Sequence, residues 1–314
     1  MQTPCNKNAT PNAKRLLNYL SETAGKGIIT GQHTQTVPME ELSYIREHTG
    51  RTPKLTGFEL LSYSPNINYE DASKECLTEV YENRGTLDTA YELASDREKS
   101  VILTFTFHWF SPIGGRDKSF YAKNTDFDAS KVLIKDSPER EAFFHDMEAL
   151  AEHLKRFNEA DIPILWRPFH EAEGDWFWWG AKGAGIAGGL YKLMYEYFTE
   201  EKGLNNLLWV WNCPVGEAYP GDEYVDVISR DVYLKEYKAT DYREEYEELI
   251  AATSDSKVAA LAEVGYLPDV ALLEKTHILW AYFMTWSKEF IIGEQYNSVE
   301  SLKRVYESRY AITI

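Results

Sequence analysis

Two glutamates in apolar surroundings are the residues of this sequence best suited to acid–base chemistry. Glu171 follows the apolar run 162–169 and is flanked by an imidazole and several indoles, and Glu263 lies within the apolar run 257–264. Apolar burial raises the pKa of a carboxyl group, so that it can act as a general acid near neutral pH. An unpaired charge inside an apolar strand is costly, so Glu263 is expected to have a partner or a function. Two carboxyl groups that face each other across one bond are what glycoside hydrolysis requires.

The His170–Glu171 pair also invites comparison with the zinc-protease motif HExxH. That motif needs a second histidine four residues after the first, on one helical face, and Gly174 occupies this position. The glycine and aromatic residues that follow disfavour a helix. His33 and His108 also lack the spacing of metal ligands, so we expect the three imidazoles to form hydrogen bonds. The sequence therefore predicts a site with no metal and no cofactor.

Aromatic side chains are unevenly distributed along the chain. The sequence has 9 Trp, 21 Tyr and 14 Phe, and every tryptophan lies within residues 109–286. Aromatic rings with polar tips suit sugars, whose C–H faces stack on indole while their hydroxyl groups need hydrogen bonds. Loops run over the surface, so the cluster 176–179 is predicted to be available to a ligand. Trp166 and Trp209 lie within apolar runs and are predicted to pack in the core.

Eight short apolar runs are predicted to be the β-strands that position these groups. They cover residues 27–31, 54–58, 100–107, 162–169, 206–211, 224–232, 257–264 and 277–285. Segments of helical period lie between them, for instance 138–157 and 189–198. Continuous apolar runs are typical of parallel strands that are buried on both faces. We therefore predict an α/β fold, a (β/α)8 TIM barrel that forms a single catalytic domain over residues 1–314, with its chemistry at the carboxyl ends of the strands.

An open, doubly wound sheet is the alternative architecture. Its dinucleotide-binding form would require GxGxxG after the first strand, and the chain has Gly31-Gln32-His33 there instead. This departure favours the barrel over the open sheet.

Charge and composition restrict the partners of the protein. The chain has 33 Lys and Arg against 50 Asp and Glu, a net charge of −17, which would repel nucleic acid or an anionic membrane surface. Neither a signal peptide nor a run of about 18 apolar residues is visible. A secreted chain whose leader had been removed would look the same, so an extracellular and a cytoplasmic location both stay open. Cys5, Cys76 and Cys213 are isolated and predict no disulfide framework.

Together, the strand ends resemble glycoside hydrolase family 26. The most specific part is Arg-Pro-Phe-His-Glu at 167–171, followed by Gly174 and by Trp-Phe-Trp-Trp-Gly at 176–180. Shorter matches extend the resemblance over residues 31–286, at Gly31-Gln32, His108-Trp109, Asp231-Val232-Tyr233, Glu263-Val264-Gly265 and Thr285-Trp286. The resemblance implies a (β/α)8 barrel and, as in most members, a β-1,4-mannanase. Lichenase-like and xylanase members are minorities of the family.

The resemblance also implies roles for individual residues. Glu171 matches the acid/base and Glu263 the nucleophile of a retaining, double-displacement glycosidase that cleaves β-1,4 linkages in mannan, glucomannan, galactomannan and mannooligosaccharides. The substrate-binding residues that it implies are His108 and Trp109 on the glycone side, Arg167 beside the carboxylates, His170 near the nucleophile and the sugar, Trp176 and Trp286 as aromatic platforms, and Tyr233 as a hydrogen-bond donor to the nucleophile. We expect a monomer that acts on a β-mannan polysaccharide or oligosaccharide.

Two alternatives use the same scaffold. A β-1,3-1,4-glucanase or a β-1,3-xylanase would keep the two glutamates and differ in the contact with the C2 hydroxyl of the sugar, which one sequence does not specify. A non-catalytic carbohydrate-binding barrel would lack one of the two strand-end carboxylates, and both are present. Cleavage within or at the end of a mannan chain is left open by Ser287-Lys288, which departs from the family pattern after Trp286.

Overall fold

A closed barrel of parallel strands organises the chain. The computed structural model describes residues 2–96 and 100–314, and within these residues eight strands form the barrel. They are β1 (Ile28–His33), β2 (Leu55–Glu59), β3 (Ile102–Thr106), β4 (Ile164–Arg167), β5 (Leu207–Asn212), β6 (Val227–Val232), β7 (Val258–Val264) and β8 (Trp280–Thr285). Each strand pairs with the next, and β1 pairs with both β2 and β8, which closes the sheet. The eight predicted strands and the (β/α)8 fold are confirmed.

Helices precede, separate and follow the barrel strands. They are α1 (Pro11–Thr23), α2 (Glu40–Thr49), α3 (Lys74–Glu82), α4 (Thr86–Ser95), α5 (Pro138–Glu159), α6 (Ala184–Glu196), α7 (Arg243–Ala252), α8 (Val270–Thr276) and α9 (Val299–Tyr306). The predicted helix 138–157 corresponds to α5, and the prediction 189–198 covers the end of α6 and the start of a π-helical turn, Tyr197–Glu201. None of the helices in the described part of the chain is both long and apolar enough to cross a membrane.

The start and the buried face of α5 show why these segments are helical. Ser137 caps the helix by accepting a hydrogen bond from the backbone N–H of Arg140, and Pro138 occupies the first turn, where its missing N–H costs nothing. Spacings of three and four residues then place one apolar stripe against the barrel. This stripe consists of Phe143, Met147, Leu150, Ala151, Leu154 and Phe157.

The amino-terminal end of the barrel is covered by α1. Its residues Leu16, Leu17 and Leu20 belong to the same buried cluster as Ile102 and Val258, the first residues of β3 and β7. A short strand, β9 (Ala311–Ile312), pairs with β1 on the outside. These elements leave the opposite end, where the strands terminate, available for a site. The predicted domain, 1–314, also includes Met1 and residues 97–99, which lie outside the described residues.

Candidate active site

The backbone after β4 turns sharply at the mouth of the barrel. Phe169 and Glu171 both have left-handed backbone angles, with φ values of 54° and 51°. This conformation costs a non-glycine residue on the order of 1–3 kcal/mol, so surrounding contacts must maintain it. One such contact comes from Asn212 at the end of β5, whose Oδ1 accepts a hydrogen bond of 2.7 Å from the backbone N–H of Glu171. The turn therefore places the Glu171 carboxyl group at a defined position.

The Glu171 side chain has the environment of a general acid. Burial, reinforced by the nearby negative charge of Glu263, raises the pKa of Glu171 to about 7. Trp176 opposes this shift, because its indole N–H donates a hydrogen bond of 2.8 Å to Glu171 Oε2 and favours the carboxylate. A carboxyl group with this pKa holds a proton up to nearly neutral pH and can donate it to a leaving group.

Glu263 lies at the end of β7 and is surrounded by donors. Its side chain is only 4% exposed and forms an ion pair with the fully buried guanidinium of Arg167. The hydroxyl group of Tyr233 donates a second hydrogen bond of 2.7 Å to Glu263 Oε2. Both donors stabilise the ionised carboxylate, and the burial of the Arg167 and Glu263 side chains strengthens the ion pair between them. The predicted partner of this buried charge is therefore Arg167.

A third carboxyl group, Asp231, completes the cluster. Arg167 Nη1 donates to Asp231 Oδ2 at 2.7 Å, and Asn212 Nδ2 donates to Oδ1 at 2.8 Å. One oxygen from each of Glu171, Asp231 and Glu263 lies within 4.8 Å of the others. Three carboxyl groups at this spacing resemble a cation site, but the guanidinium already pairs with two of them and would repel a metal ion. Burial raises the pKa of Asp231 well above its usual range despite Arg167.

Three histidines lie near the two glutamates. His108 Nδ1 is 2.7 Å from Glu59 Oε2, and its Nε2 is 3.3 Å from Nε2 of His170. The ring of His33 stacks on Trp286, with centroids 4.0 Å apart. Within the described residues, neither nitrogen of the His33 ring has a hydrogen-bond partner, so the hydrogen-bonding role predicted for this imidazole is not found. His33, His108 and Trp286 line a cavity of about 250 Å³ together with Glu59, Tyr121 and Ser287.

The prediction that the aromatic cluster 176–179 is exposed to a ligand is right for Trp176 and wrong for its neighbours. Trp176 is 44% exposed and lies beside Glu171, and Trp286 lines the cavity. Trp178 and Trp179 are buried, because their indole N–H groups donate to the backbone oxygens of Trp109 and His170 at 2.6 and 2.8 Å. The loop folds inward and adds these rings to the core. Trp166 and Trp209 are buried within their strands, as predicted.

The prediction that Trp109 contacts the sugar is also wrong. It is 1% exposed, and its Nε1 donates a hydrogen bond of 2.8 Å to Asp146 on α5. Its ring packs against Phe107 and Phe143, with centroids 5.3 and 5.0 Å away. No face of this indole is available to stack on a sugar. Its neighbour His108 points the other way, into the cavity, because adjacent residues in an extended segment face opposite sides.

Sequence reasoning missed Glu59, although a signal was present. Glu59 comes directly after the predicted strand 54–58, and its side chain is buried against His108. A charged residue at the end of an apolar run is also the pattern that distinguishes Glu171. The ends of β1 and β2, in the tryptophan-free part of the chain, contribute His33 and Glu59 to the cavity.

Comparison with known proteins places this geometry in a family. A model of glycosyl hydrolase family 26 matches residues 5–314. A mannan endo-1,4-beta-mannosidase of Thermothelomyces thermophilus is 37% identical over 318 residues, which cover 98% of this chain and 62% of that protein. The crystal structure of the Podospora anserina GH26-CBM35 beta-(1,4)-mannanase superimposes with a TM-score of 0.85 at 35% identity, covering 99% of this chain and 68% of that chain.

A second solved structure matches over nearly its whole length. The beta-mannanase from a symbiotic protist of the termite Reticulitermes speratus, complexed with gluco-manno-oligosaccharide, has a TM-score of 0.85 at 27% identity, and the match covers 99% of this chain and 96% of that chain. The chain spans between 49% and 62% of the length of three curated mannan endo-1,4-beta-mannosidases that it matches. From the match of the family model to nearly every residue, we conclude that the chain belongs to glycosyl hydrolase family 26.

Proposed function

We propose that this chain is a retaining β-mannanase that hydrolyses β-1,4-mannosidic linkages in mannan, glucomannan or galactomannan and in mannooligosaccharides. The observation that carries the proposal is the pair Glu171 and Glu263, which lie in different environments with one carboxylate oxygen of each within 4.8 Å of one of the other. Retaining glycosidases need two carboxyl groups about 5–5.5 Å apart, whereas inverting enzymes need about 6.5–9.5 Å. The mannan endo-1,4-beta-mannosidase names of the relatives support mannan as the substrate.

In the first step, Glu263 is the nucleophile and Glu171 the acid. A Glu263 oxygen forms a bond to the anomeric carbon while the bond from this carbon to the leaving oxygen breaks. Glu171 transfers its proton to that oxygen, so that the shortened chain leaves as a neutral alcohol. Arg167 and Tyr233 hold the Glu263 carboxylate in place before the attack.

In the second step, Glu171 changes roles. It is now a carboxylate and accepts a proton from water, whose oxygen attacks the anomeric carbon as the bond to Glu263 breaks. Glu263 departs as a carboxylate, and Glu171 regains its proton. Two inversions at the anomeric carbon give net retention of the β configuration.

The sugar contacts follow from the positions of the surrounding groups. We assign Trp176, beside the acid, to the leaving-group side, and Trp286, stacked on His33, to the glycone side. His108, His170 and Tyr233 supply the polar contacts near the reacting sugar. Trp109 acts only indirectly, through packing beneath these residues.

Azide rescue tests the two catalytic roles separately. Glu171→Ala should lose about 100–10,000-fold of its activity on mannan but still form the glycosyl-enzyme from an aryl β-mannobioside with a good leaving group, and azide should then give the β-glycosyl azide. Glu263→Ala should lose both activities, and azide should give the α-glycosyl azide. Asp175→Ala, which removes an exposed carboxylate four residues from the acid, serves as the control with near-normal activity. Near-normal turnover of mannan by both catalytic variants would contradict the proposal.

A panel of polysaccharides tests the sugar specificity. Mannose carries an axial C2 hydroxyl, and glucose and xylose carry an equatorial one. We expect hydrolysis of galactomannan and glucomannan, with kcat/KM on lichenan and β-1,3-xylan at least about a hundredfold lower. Preferred hydrolysis of lichenan or xylan would reassign the substrate and leave the two-glutamate mechanism intact.

A further inference from the structure

Glu59 is a buried carboxylate beside the active site that the two-glutamate mechanism does not use. It ends β2, is 2% exposed and accepts three hydrogen bonds. Its Oε1 accepts from the backbone N–H groups of Leu61 and His108 at 2.9 and 2.8 Å, and its Oε2 lies 2.7 Å from His108 Nδ1. Both oxygens therefore have hydrogen-bond donors, which is the bonding pattern of a carboxylate that accepts at each oxygen.

This arrangement determines where the protons of His108 lie. An ionised carboxylate only accepts hydrogen bonds, so the contact with Glu59 Oε2 requires a proton on His108 Nδ1. The opposite nitrogen, Nε2, lies 3.3 Å from Nε2 of His170. Two ring nitrogens can share a hydrogen bond only if one donates and the other accepts. The protonation of His108 therefore also sets the tautomer of His170, the residue directly before the catalytic acid.

We propose that Glu59 is a positioning residue of the active site, which acts through His108 to orient the His170 ring beside the two catalytic glutamates. This inference rests on the proposed mannanase function. Glu59 itself does not touch the reacting atoms, since His108 lies between its carboxylate and His170. Its contribution is a fixed ring orientation and a fixed proton position for two imidazoles that would otherwise have several arrangements.

The charges around His108 are consistent with this role. Burial lowers the pKa of His108, but the Glu59 carboxylate, together with Glu263 and Glu171, outweighs this effect and raises the pKa above that of an ordinary histidine. Burial and the positive charges of His108 and Arg167 hold the pKa of His170 well below its usual range. The ionisable and charged groups that face His108 are Glu59, His33, His170, Glu171 and Glu263. The same cavity is also lined by Glu79, Lys118, Tyr121, Lys288 and Glu289. A proton shared by the two rings therefore resides on His108, next to the catalytic carboxylates.

Glu59→Gln is the variant that tests the proposal. Glutamine keeps the size of the side chain and can still accept from the two backbone N–H groups through its amide oxygen, but it lacks the negative charge. We expect the titration midpoint of His108, followed by ¹⁵N NMR of the imidazole nitrogens, to fall by about one pH unit or more, a tenfold change in proton affinity. We expect kcat/KM on mannooligosaccharides to fall by about 10–100-fold. Losses of this size are typical when a residue that is hydrogen-bonded to a metal-binding histidine is mutated. The loss should be mainly in kcat.

A matched control separates positioning from a general effect of losing a buried acid. Glu41→Gln removes a carboxylate that is equally buried and also bonded to a backbone N–H, that of Lys288, but has no histidine partner among the described residues. This control should leave the His108 titration unchanged. A His108→Asn variant assigns the His108 resonances.

Several outcomes would overturn the proposal. One is a folded Glu59→Gln protein whose His108 titration and kcat/KM stay within about twofold of the parent. Another is the finding that His108 Nδ1 carries no proton at neutral pH in the parent protein. This measurement needs no variant, so it decides the question even if Glu59→Gln does not fold. If the parent cleaved no mannan, the proposed function would fail, while the NMR titration would still report on the contact between Glu59 and His108.

Discussion

At the scale of single residues, two glutamates differ because their neighbours differ. Glu263 has Arg167 and Tyr233 as donors, whereas Glu171 has a single indole N–H and the negative charge of Glu263 nearby. The first environment favours a carboxylate and the second a protonated acid. Different surroundings of this kind allow one site to use two glutamates, one as the nucleophile and the other as the acid.

The raised pKa of Glu171 predicts the alkaline limit of activity. The acid must be protonated in the first step, and its pKa of about 7 lies above the ordinary value, so activity persists through mildly acidic pH. Above about pH 7, kcat/KM should fall by about tenfold per pH unit. The measurement is kcat/KM on mannooligosaccharides from about pH 4 to about pH 9.

The variant Trp176→Phe checks the assignment of that limit. Phenylalanine keeps a ring but removes the N–H that favours the Glu171 carboxylate, so the alkaline limit should move to higher pH. A limit that stayed in place or moved to lower pH would assign it to another group.

At the scale of an element, the loop after β4 depends on close contacts at two glycines. The Trp176 ring lies directly on Gly174, so a Cβ built on Gly174 would overlap the ring. A Cβ on Gly180 would overlap the backbone oxygen of Gly174. These contacts close the loop on itself, with the Trp176 ring on the outside and the rings of Trp178 and Trp179 buried.

Gly174→Ala is predicted to displace Trp176 and weaken catalysis. The methyl group would push the indole away from Glu171 and break its hydrogen bond. Displacements of about 1 Å at a reacting site can cost about a hundredfold, so we expect a 10–100-fold lower kcat/KM. The signature is a combined loss of activity and an upward shift of the alkaline limit. Gly185→Ala, where nothing lies within 4 Å of the added methyl group, should change neither quantity.

At the scale of the whole molecule, the catalytic residues and a large part of the stabilising core lie at opposite ends of the barrel. The strands carry the site at their carboxyl ends, while α1 packs its leucines against the opposite end. Such a division allows a core change at one end to leave the other unaffected, because mutations more than about 7–10 Å apart are usually additive.

Leu20→Ala is predicted to destabilise the protein without changing its catalysis. Leu20 is fully buried on α1, and removing a buried leucine side chain costs about 2–5 kcal/mol. The melting temperature should fall by several degrees, while kcat/KM measured well below the transition should match the parent. The control Leu279→Ala changes a half-exposed leucine and should alter the melting temperature much less. Reduced kcat/KM in folded Leu20→Ala protein would show that the two ends are coupled.

Much of this protein can be predicted from local patterns in its sequence. The eight strands follow from continuous apolar runs, because a strand covered on both faces needs apolar side chains throughout. The two glutamates stand out for the same reason, since a charge in or beside such a run is costly without a partner. Both inferences depend only on residues that are neighbours along the chain.

The tertiary structure decided which side chains face the site, because that depends on contacts between distant segments. Trp109 and Trp178 looked as available to a sugar as Trp176, but a carboxylate on α5 and a backbone oxygen take their indole N–H groups into the core. Glu59 and His108 are 49 residues apart in sequence and meet only because β2 and β3 are adjacent in the barrel. Apolar burial is encoded locally, whereas the pairing of one polar atom with another requires the closed barrel.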